Sequence, residues 1–563
     1  MLNKNFKSFL TFATAVGLAV IAISTVPANA ESTGPAGVSK AASEDVIGGT
    51  FVDQTVHELP VPDVAMASDG RSLIIWNDAG PESTNCQDSN DSCDILGVIV
   101  EADGSTVGTP FVLASGIQFK ANLTSPSAVW NDDRDEWLVL LNGLDTGVHH
   151  VYAQRVSSSG ELSGALVTLP SYKATTISNR DTVVNLPDEN RRRHPEATWS
   201  SKDQVYLVTW HAETAGLSVG DATALGANAT QTNFGYFMTG DLVSADGVAA
   251  AFVIQDTTDN GFGGLTKQAY SPTLDQWAFF WGVSGGGAQA RLVTLSFDNG
   301  SINRVLAKEV ADGSNLGYGR AQMSGDVIWV EPLNSWVVSW NAGENNPNYE
   351  TGEYWYYWSA YARTVSPGGS LGDPARVTEF GLTRHDTPPI WLYSHHLIYD
   401  ASSDAIYGTG HVESLFRVND TTSLYPKTSA LWSFDAETLE PIGWVELIAA
   451  PQEVATSAAG EIAPTSASSR SRITGIDGGI AVVYQNWPNG EFISPAEVRY
   501  HLIKLPGDDS GTDGSEEGSD DETAALPDTG APMGMNLLTL SLLLMGLGLV
   551  AMVRKKGTEF SSP

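Results

Sequence analysis

The sequence predicts an all-β chain: a seven-bladed β-propeller of four-stranded blades, with an N-terminal signal peptide and a C-terminal anchor helix. Two observations carry this. Strands rich in aromatic and β-branched residues alternate with Gly, Asp and Asn turns, and no long stretch with a helical period occurs outside the two termini. A turn residue followed by an apolar, aromatic strand also recurs, at Asp69, Asp135, Asp203, Asp275, Asn334, Asp404 and Asp477. The spacings are 66, 68, 72, 59, 70 and 73 residues. Seven degenerate copies at near-constant period are the pattern of radial repetition.

The second copy is the clearest unit. Ala128 to Ser157 holds Ala-Val-Trp, an acidic turn, Trp-Leu-Val-Leu-Leu, a Gly-containing loop and His-His-Val-Tyr-Ala-Gln-Arg-Val. Leu162, Leu166 and Leu169 mark a fourth, more exposed strand. Four antiparallel strands cannot bury both faces alone, so the unit implies neighbours like itself.

Residues 1–30 read as a secretory signal. Lys4 and Lys7 give the positive start, Phe9 to Ile23 the apolar stretch and Ala28-Asn29-Ala30 the cleavage site. Residues 31–45 form a flexible leader and 46–505 the propeller. Ile47-Gly48-Gly49-Thr50-Phe51-Val52 resembles other repeats' fourth strands, such as Val107 to Val112, while the last repeat offers three strands only: Arg472 to Ile476, Ile480 to Tyr484 and Val498 to Lys504. The N-terminal strand is therefore expected to complete the last blade and remove two exposed edges; the alternative is a frayed arm. Ala449 to Ser469, a mixture of Ala, Ser, Thr and Glu, reads as an exposed loop.

A formal net charge of −36 argues against nucleic-acid and anionic-membrane partners. The two cysteines, Cys86 and Cys93, share one acidic loop, where a disulfide fits an oxidising compartment better than a metal site does. Asp88 to Asp94 and Asp256 to Asp259 offer oxygen ligands for Ca²⁺ but lack the EF-hand pattern, so no cofactor is expected.

Residues 506–525 are Asp, Glu, Gly and Ser almost throughout and read as an acidic disordered stalk. In 526–563, Leu526-Pro527-Asp528-Thr529-Gly530 precedes an apolar run from Met535 to Val553 and then Arg554-Lys555-Lys556. The run matches a bilayer span and the basic cluster holds the terminus inside. This tripartite tail resembles the LPXTG sorting signal of Gram-positive cell-wall-anchored proteins. The resemblance covers the tail alone. It implies that a sortase attacks the Thr529 carbonyl, releases Gly530 and all that follows, and transfers the chain to peptidoglycan. It implies a surface location and leaves the activity of the ectodomain open.

Two constellations bear on activity. His149, His150, His194, His211, His385, His395, His396 and His411 are expected in or beside loops that open on one propeller face, leaving out His57 and His501. His194, His211, His396, His411 and Tyr393 are the catalytic candidates, with Arg384 near in sequence, since imidazoles at a channel mouth can bind metal or move protons. The set is similar to the His, Tyr and Arg combination of some propeller polysaccharide lyases, which implies a wall-anchored lyase or hydrolase as the alternative function. Loop histidines that only cap strands are the simpler reading.

The second constellation is aromatic. Tyr354, Trp355, Tyr357, Trp358, Trp391 and Trp487 are expected in loops of the same face, where rings beside polar groups suit sugars; alternatively they form a local core. Arg192, in the basic run Arg191 to Arg193, could seat an anionic group or pair with nearby acids. No Asp-box, Gly-x-Ser-x-Gly, His-Glu-x-x-His or phosphate loop occurs. The reading that results is a wall-anchored binding or adhesion module for an extracellular polymer, foremost a glycan.

Overall fold

Seven second strands set the organisation, because each is apolar on both faces. In Glu136–Asp145, Trp137, Val139 and Leu141 are buried on one side with Leu73, Ile75 and Cys93, while Leu138 and Leu140 are buried on the other with Tyr206, Val208 and Trp210. A continuous apolar run with buried alternate residues is a strand covered on both faces. Its sheet must therefore have a neighbour on each side.

The computed structural model describes residues 50–55, 61–79 and, with interruptions at connecting segments, 92–505; all else lies outside the described residues. The chain divides into two units, Met1–Ser510 and Gly511–Pro563, and every described residue belongs to the first. Among the described residues every helical or strand element is a strand.

Sequential antiparallel pairing groups the strands in fours. The first group is Asp63–Met66, Ser72–Ala79, Ser92–Val100 and Phe111–Gln118. The second is Ser127–Asn131, Glu136–Asp145, Val148–Ser157 and Leu162–Leu169, joined to the first by the single pairing of Gln118 with Leu144. The third is Arg192–Ser200, Val205–Glu213, Gln231–Thr239 and Val248–Val253, extended by Ala174–Thr176 and Arg180–Val184. The fourth is Lys267–Ser271, Gln276–Ser284, Gln289–Asp298 and Ser301–Asp312, with Phe262–Gly263 added beside its second strand. The fifth is Ala321–Val330, Ser335–Asn345, Tyr356–Val365 and Ala375–Arg376. The sixth is Pro389–Asp400, Ala405–Ser414, Lys427–Asp435 and Glu446–Leu447.

The seventh contains both ends of the described chain. Ala467–Ile476, Gly479–Trp487 and Ala496–Lys504 are completed by Thr50–Thr55, which pairs antiparallel with the last of them, Phe51 opposite Arg499. The expected closing strand is therefore in place.

Each sheet shares a hydrophobic cluster with the next. Val205 and Leu207 of the third meet Trp277 and Phe279 of the fourth; Ala278 and Phe280 meet Trp336, Val338 and Trp340 of the fifth. Val337 and Ala360 meet Ile406 and Trp432 of the sixth, and Ala405 and Tyr407 meet Ile480, Val482 and Tyr484 of the seventh. Val52, Val483 and Val498 of the seventh then meet Val64, Ile74 and Trp76 of the first. Each fully buried aromatic or aliphatic side chain contributes about 1.5–3 kcal/mol. The interfaces form a cycle.

The hairpin joining first and second strands explains the period. A left-handed residue ends the turn at Asp135, Asp275, Asn334 and Asp404 (φ 52°, 55°, 46° and 52°), where Asp and Asn tolerate that backbone best. In the first copy Gly70 rather than Asp69 takes it, and in the third Gln204 rather than Asp203. The Ser200 hydroxyl accepts the Asp203 N–H as the Ser271 hydroxyl accepts the Leu274 N–H, so Gln204 stands where Asp275 does in the same turn. Across four of the hairpins an aromatic pair fixes the register: Trp130 with Trp137 (4.7 Å between ring centroids), Trp199 with Tyr206 (4.5 Å), Tyr270 with Trp277 (4.8 Å) and Trp329 with Trp336 (4.9 Å).

Several sequence expectations need correction. The histidines at 149, 150, 194, 211, 395, 396 and 411 lie within strands rather than in the loops beside them, because those strands run further than their apolar segments. Ala467 to Ser469 belong to a strand as well, and the supposed loop before them contains the short hairpin Ala455–Thr456 with Ile462–Ala463. The fourth strand of the first sheet is Phe111–Gln118, with Val107 contributing only an isolated bridge to Val100. Residues 1–49 and 506–563, and with them the signal, stalk, Leu526 to Gly530 and the anchor segment, lie outside the described residues.

Candidate functional site

One register position on the first strand of every sheet carries a polar or ionisable residue. The seven are Asp63, Ser127, Glu196, Lys267, Asp326, His396 and Arg472. Their partners on the second strands are Ile75, Leu140, Thr209, Phe280, Ser339, Thr409 and Val483. In four sheets the register shifts just before this position, after Arg193, Ala321, Tyr393 and Ser469, and such bulges re-aim the side chains beside them. Gly325 permits the shift in the fifth sheet, since a Cβ there would meet Phe280 and the Ser339 carbonyl, both at 2.3 Å.

These side chains reach the neighbouring sheet. Asp63 Oδ2 accepts the Ala128 N–H of the second sheet (2.9 Å), and Asp326 Oδ2 accepts the Leu397 N–H of the sixth (2.7 Å). First strands are edges with unpaired amides, and a carboxylate from the preceding sheet satisfies them here. Glu196 forms an ion pair with Lys267, which is only 7% exposed. Arg472 donates to His396 Nδ1 (3.3 Å), and its Nε lies 3.8 Å from Asp63 Oδ1.

Charge follows from this geometry. Arg472 can only donate, so His396 Nδ1 is an acceptor and the imidazole carries its proton on Nε2. The 3.9 Å separation of His396 Nδ1 and Asp326 Oδ2 is then no ion pair. Burial pushes the Asp326 carboxyl up to about 7, against the opposing pull of Lys267 and the Leu397 amide. Burial also raises Asp63, opposed chiefly by Arg472.

A second register position explains two of the predicted catalytic residues. On the second strands Asn77, Asn142, His211, Asn341, His411 and Gln485 face Ile95, Val151, Asn233, Ala360, Ser429 and Val498 in equivalent registers. Asn77, Asn142, Asn341 and Gln485 are buried, and Asn77 Oδ1 accepts the N–H of Val61 in the segment entering the first sheet. His211 and His411 occupy the register position where four other sheets place a buried amide.

The remaining candidates divide. Tyr393 pairs with His411 in register, as Arg193 does with His211, so the third and sixth sheets match as the sequence suggests. His194 and His395 fall in the two bulges. His396 alone of the histidines joins the polar series, beside Asp326 and Arg472. Trp487 is corrected outright: it lies in Gly479–Trp487, 1% exposed against Ala496, and is core. Tyr357 and Trp358 begin Tyr356–Val365, Trp391 lies in Pro389–Asp400 and Arg192 begins Arg192–Ser200. Tyr354, Trp355, His385 and Cys86 lie outside the described residues, whereas Cys93 is fully buried. Among the described residues no group of three or more His, Cys, Asp or Glu is placed to hold a metal; Asp256 to Asp259 lie outside them.

Asp63, Glu196, Lys267, Asp326 and Arg472 escaped the sequence reading. Three of them carry a signal, an ionisable residue three before the first-strand aromatic, as in Glu196-Ala-Thr-Trp199, Lys267-Gln-Ala-Tyr270 and Asp326-Val-Ile-Trp329, which His396-Leu-Ile-Tyr399 also shows; Asp63 and Arg472 lack that aromatic.

No protein-family model matches the chain, and no curated protein matches it. Similar solved structures include the GH93 alpha-L-arabinofuranosidase of Fusarium graminearum with arabinobiose, 11% identical, covering 81% of this chain and 96% of that one with a TM-score of 0.37. The phage phi92 endosialidase is 9% identical over 86% of this chain and 76% of its own, with a TM-score of 0.34. Likeness at this level transfers neither activity nor ligand.

Lys267→Met should destabilise the ectodomain by about 3–5 kcal/mol, because it leaves the Glu196 charge uncompensated. Lys267→Met combined with Glu196→Leu should recover most of that loss in denaturant unfolding. Equal losses in the single and double variants would refute the pairing.

Proposed function

We propose that the cycle of sheets is one seven-bladed β-propeller, displayed at a Gram-positive cell surface as a binding module for an extracellular polymer, foremost a glycan. Residues 1–30 direct export, 506–525 form the stalk, and a sortase links Thr529 to peptidoglycan. Cys86 and Cys93 close a local disulfide. The carrying observation is the seventh sheet, in which Thr50–Thr55 pairs with Ala496–Lys504 and the shared cluster joins Val52 and Val498 to Val64 and Ile74. A closed scaffold presents the same loops at one face whatever its tether does. Many such copies on one cell add weak contacts by avidity.

The residue assignments follow. His211 and His411 share the register of buried amides, of which Asn77 holds the segment entering its sheet, and this favours a structural role. That leaves Tyr354, Trp355, Tyr357, Trp358 and Trp391 as the ligand contacts, with Arg192 available to an anionic group.

An enzyme is the second reading, favoured by one observation. Asp326, with its carboxyl raised to about 7 beside His396, has the protonation range of a general acid, and Asp63 and Glu196 are further carboxylates of the same series. A lyase or hydrolase would use these rather than a histidine cluster.

A polysaccharide array probed with residues 31–505 should retain the protein on a subset of glycans without releasing oligosaccharides. Tyr357→Ala with Trp358→Ala should cut retention at least tenfold. Oligosaccharide release that disappears in Asp326→Asn would favour the enzyme instead. For the location, mass spectrometry of muramidase-released wall should find peptides ending at Thr529 joined to wall fragments. Mature protein retaining Arg554 to Lys556 would contradict it.

A further inference from the structure

The polar series is continuous where the chain closes on itself. Asp326 of the fifth sheet holds the Leu397 amide of the sixth; His396 of the sixth accepts from Arg472 of the seventh; Arg472 faces Asp63 of the first; and Asp63 holds the Ala128 amide of the second. Met66 N–H to Thr474 Oγ1 (3.4 Å) adds a further contact across the seventh–first junction.

We propose that Asp326, His396, Arg472 and Asp63 form a proton-operated clasp that holds the closing junction firmly when Asp326 is neutral and loosens it when Asp326 ionises.

Which charges face Asp326, and what already engages them, decides how an anion there is met. Lys267 of the fourth sheet is engaged by Glu196 of the third. Arg472 of the seventh sheet lies between His396 and Asp63. His396 of the sixth sheet is neutral at Nδ1, and Ser127 of the second is uncharged. A new anion at Asp326 therefore finds Lys267 shared with Glu196, and the next cation along the series, Arg472, bonded to His396. It is accommodated by drawing Arg472 past His396 or by a proton moving onto His396. The first withdraws Arg472 from Asp63, and the second breaks the bond that Arg472 donates to His396, since a protonated Nδ1 no longer accepts. Either way the seventh sheet loses a contact, to the first sheet or to the sixth, and the strand Ala467–Ile476 that carries Arg472 is loosened.

The sign is fixed by burial. The Asp326 carboxyl stands at about 7 in the folded chain and near 3.8 when unfolded. Between these values the folded state binds the extra proton, so this group's contribution to stability is present at acid pH and declines as pH rises toward 7. Asp63 is displaced in the same direction. Asn keeps the oxygen that accepts the Leu397 N–H and cannot ionise, so Asp326→Asn is the decisive variant. His396→Gln is the second, since a glutamine oxygen still accepts from Arg472 and takes no proton.

Residues 31–505 and both variants are compared from pH 6 to 8.5 by deuterium exchange, normalised to unfolded-chain rates, together with thermal midpoints. For the unsubstituted protein, exchange in Thr50–Thr55 and Ala467–Ile476 should rise at least fivefold across the range, while Glu136–Asp145 stays constant. The midpoint should fall over the same range. In Asp326→Asn both trends should flatten, and in His396→Gln the exchange rise should shrink with the midpoint trend retained. Exchange at the junction that is independent of pH, or that rises equally in Asp326→Asn, would overturn the proposal.

Discussion

A strand that is apolar on both faces has to be covered twice, and the fold follows from meeting that demand seven times. Trp137 and Val139 lean on the first sheet while Leu138 and Leu140 lean on the third. An open row of such sheets would leave one apolar face bare at each end, with Trp76 and Ile74 at one and Val483 and Tyr500 at the other. Those residues instead form one cluster. Thr50–Thr55 supplies the outermost strand there, so the first and last described strands lock together in one sheet.

This arrangement places charge where apolar packing cannot reach. The first strand of each sheet is an edge whose amides need acceptors, and Asp63 and Asp326 provide them from the preceding sheet. Carboxylates in so dry a setting hold their protons more tightly, and cations are drawn in opposite them. Ions of the polar series thus arise from an edge-satisfaction problem. Whatever chemistry they perform is added to that structural duty.

Much of the fold could be read from the sequence because its signals are local. The hairpin turns at Asp135, Asp275, Asn334 and Asp404 are short and chemically constrained, and the aromatic after each is core in nearly every copy. Closure was legible through the missing fourth strand of the last repeat. The candidate site was far less so. Its residues are spaced by whole repeats and differ in charge, so Asp63, Lys267 and Arg472 share nothing in the sequence except distance from a turn. The histidines attracted attention by type, yet register assigns His211 and His411 the place of Asn77 and Gln485. Trp487 misled for a similar reason: an aromatic near a predicted strand end was in fact inside the strand.

Closure by the N-terminal strand is the claim on which the rest stands, and thermal unfolding of 31–505 compared with 60–505 tests it most directly. Removing Thr50–Thr55 uncovers the edge of Ala496–Lys504 and removes Val52 from the seventh–first cluster. The account predicts a midpoint lower by about 10 °C or more, or outright aggregation, restored when a peptide of residues 46–59 is added in excess. An unchanged midpoint in the truncated protein would contradict it.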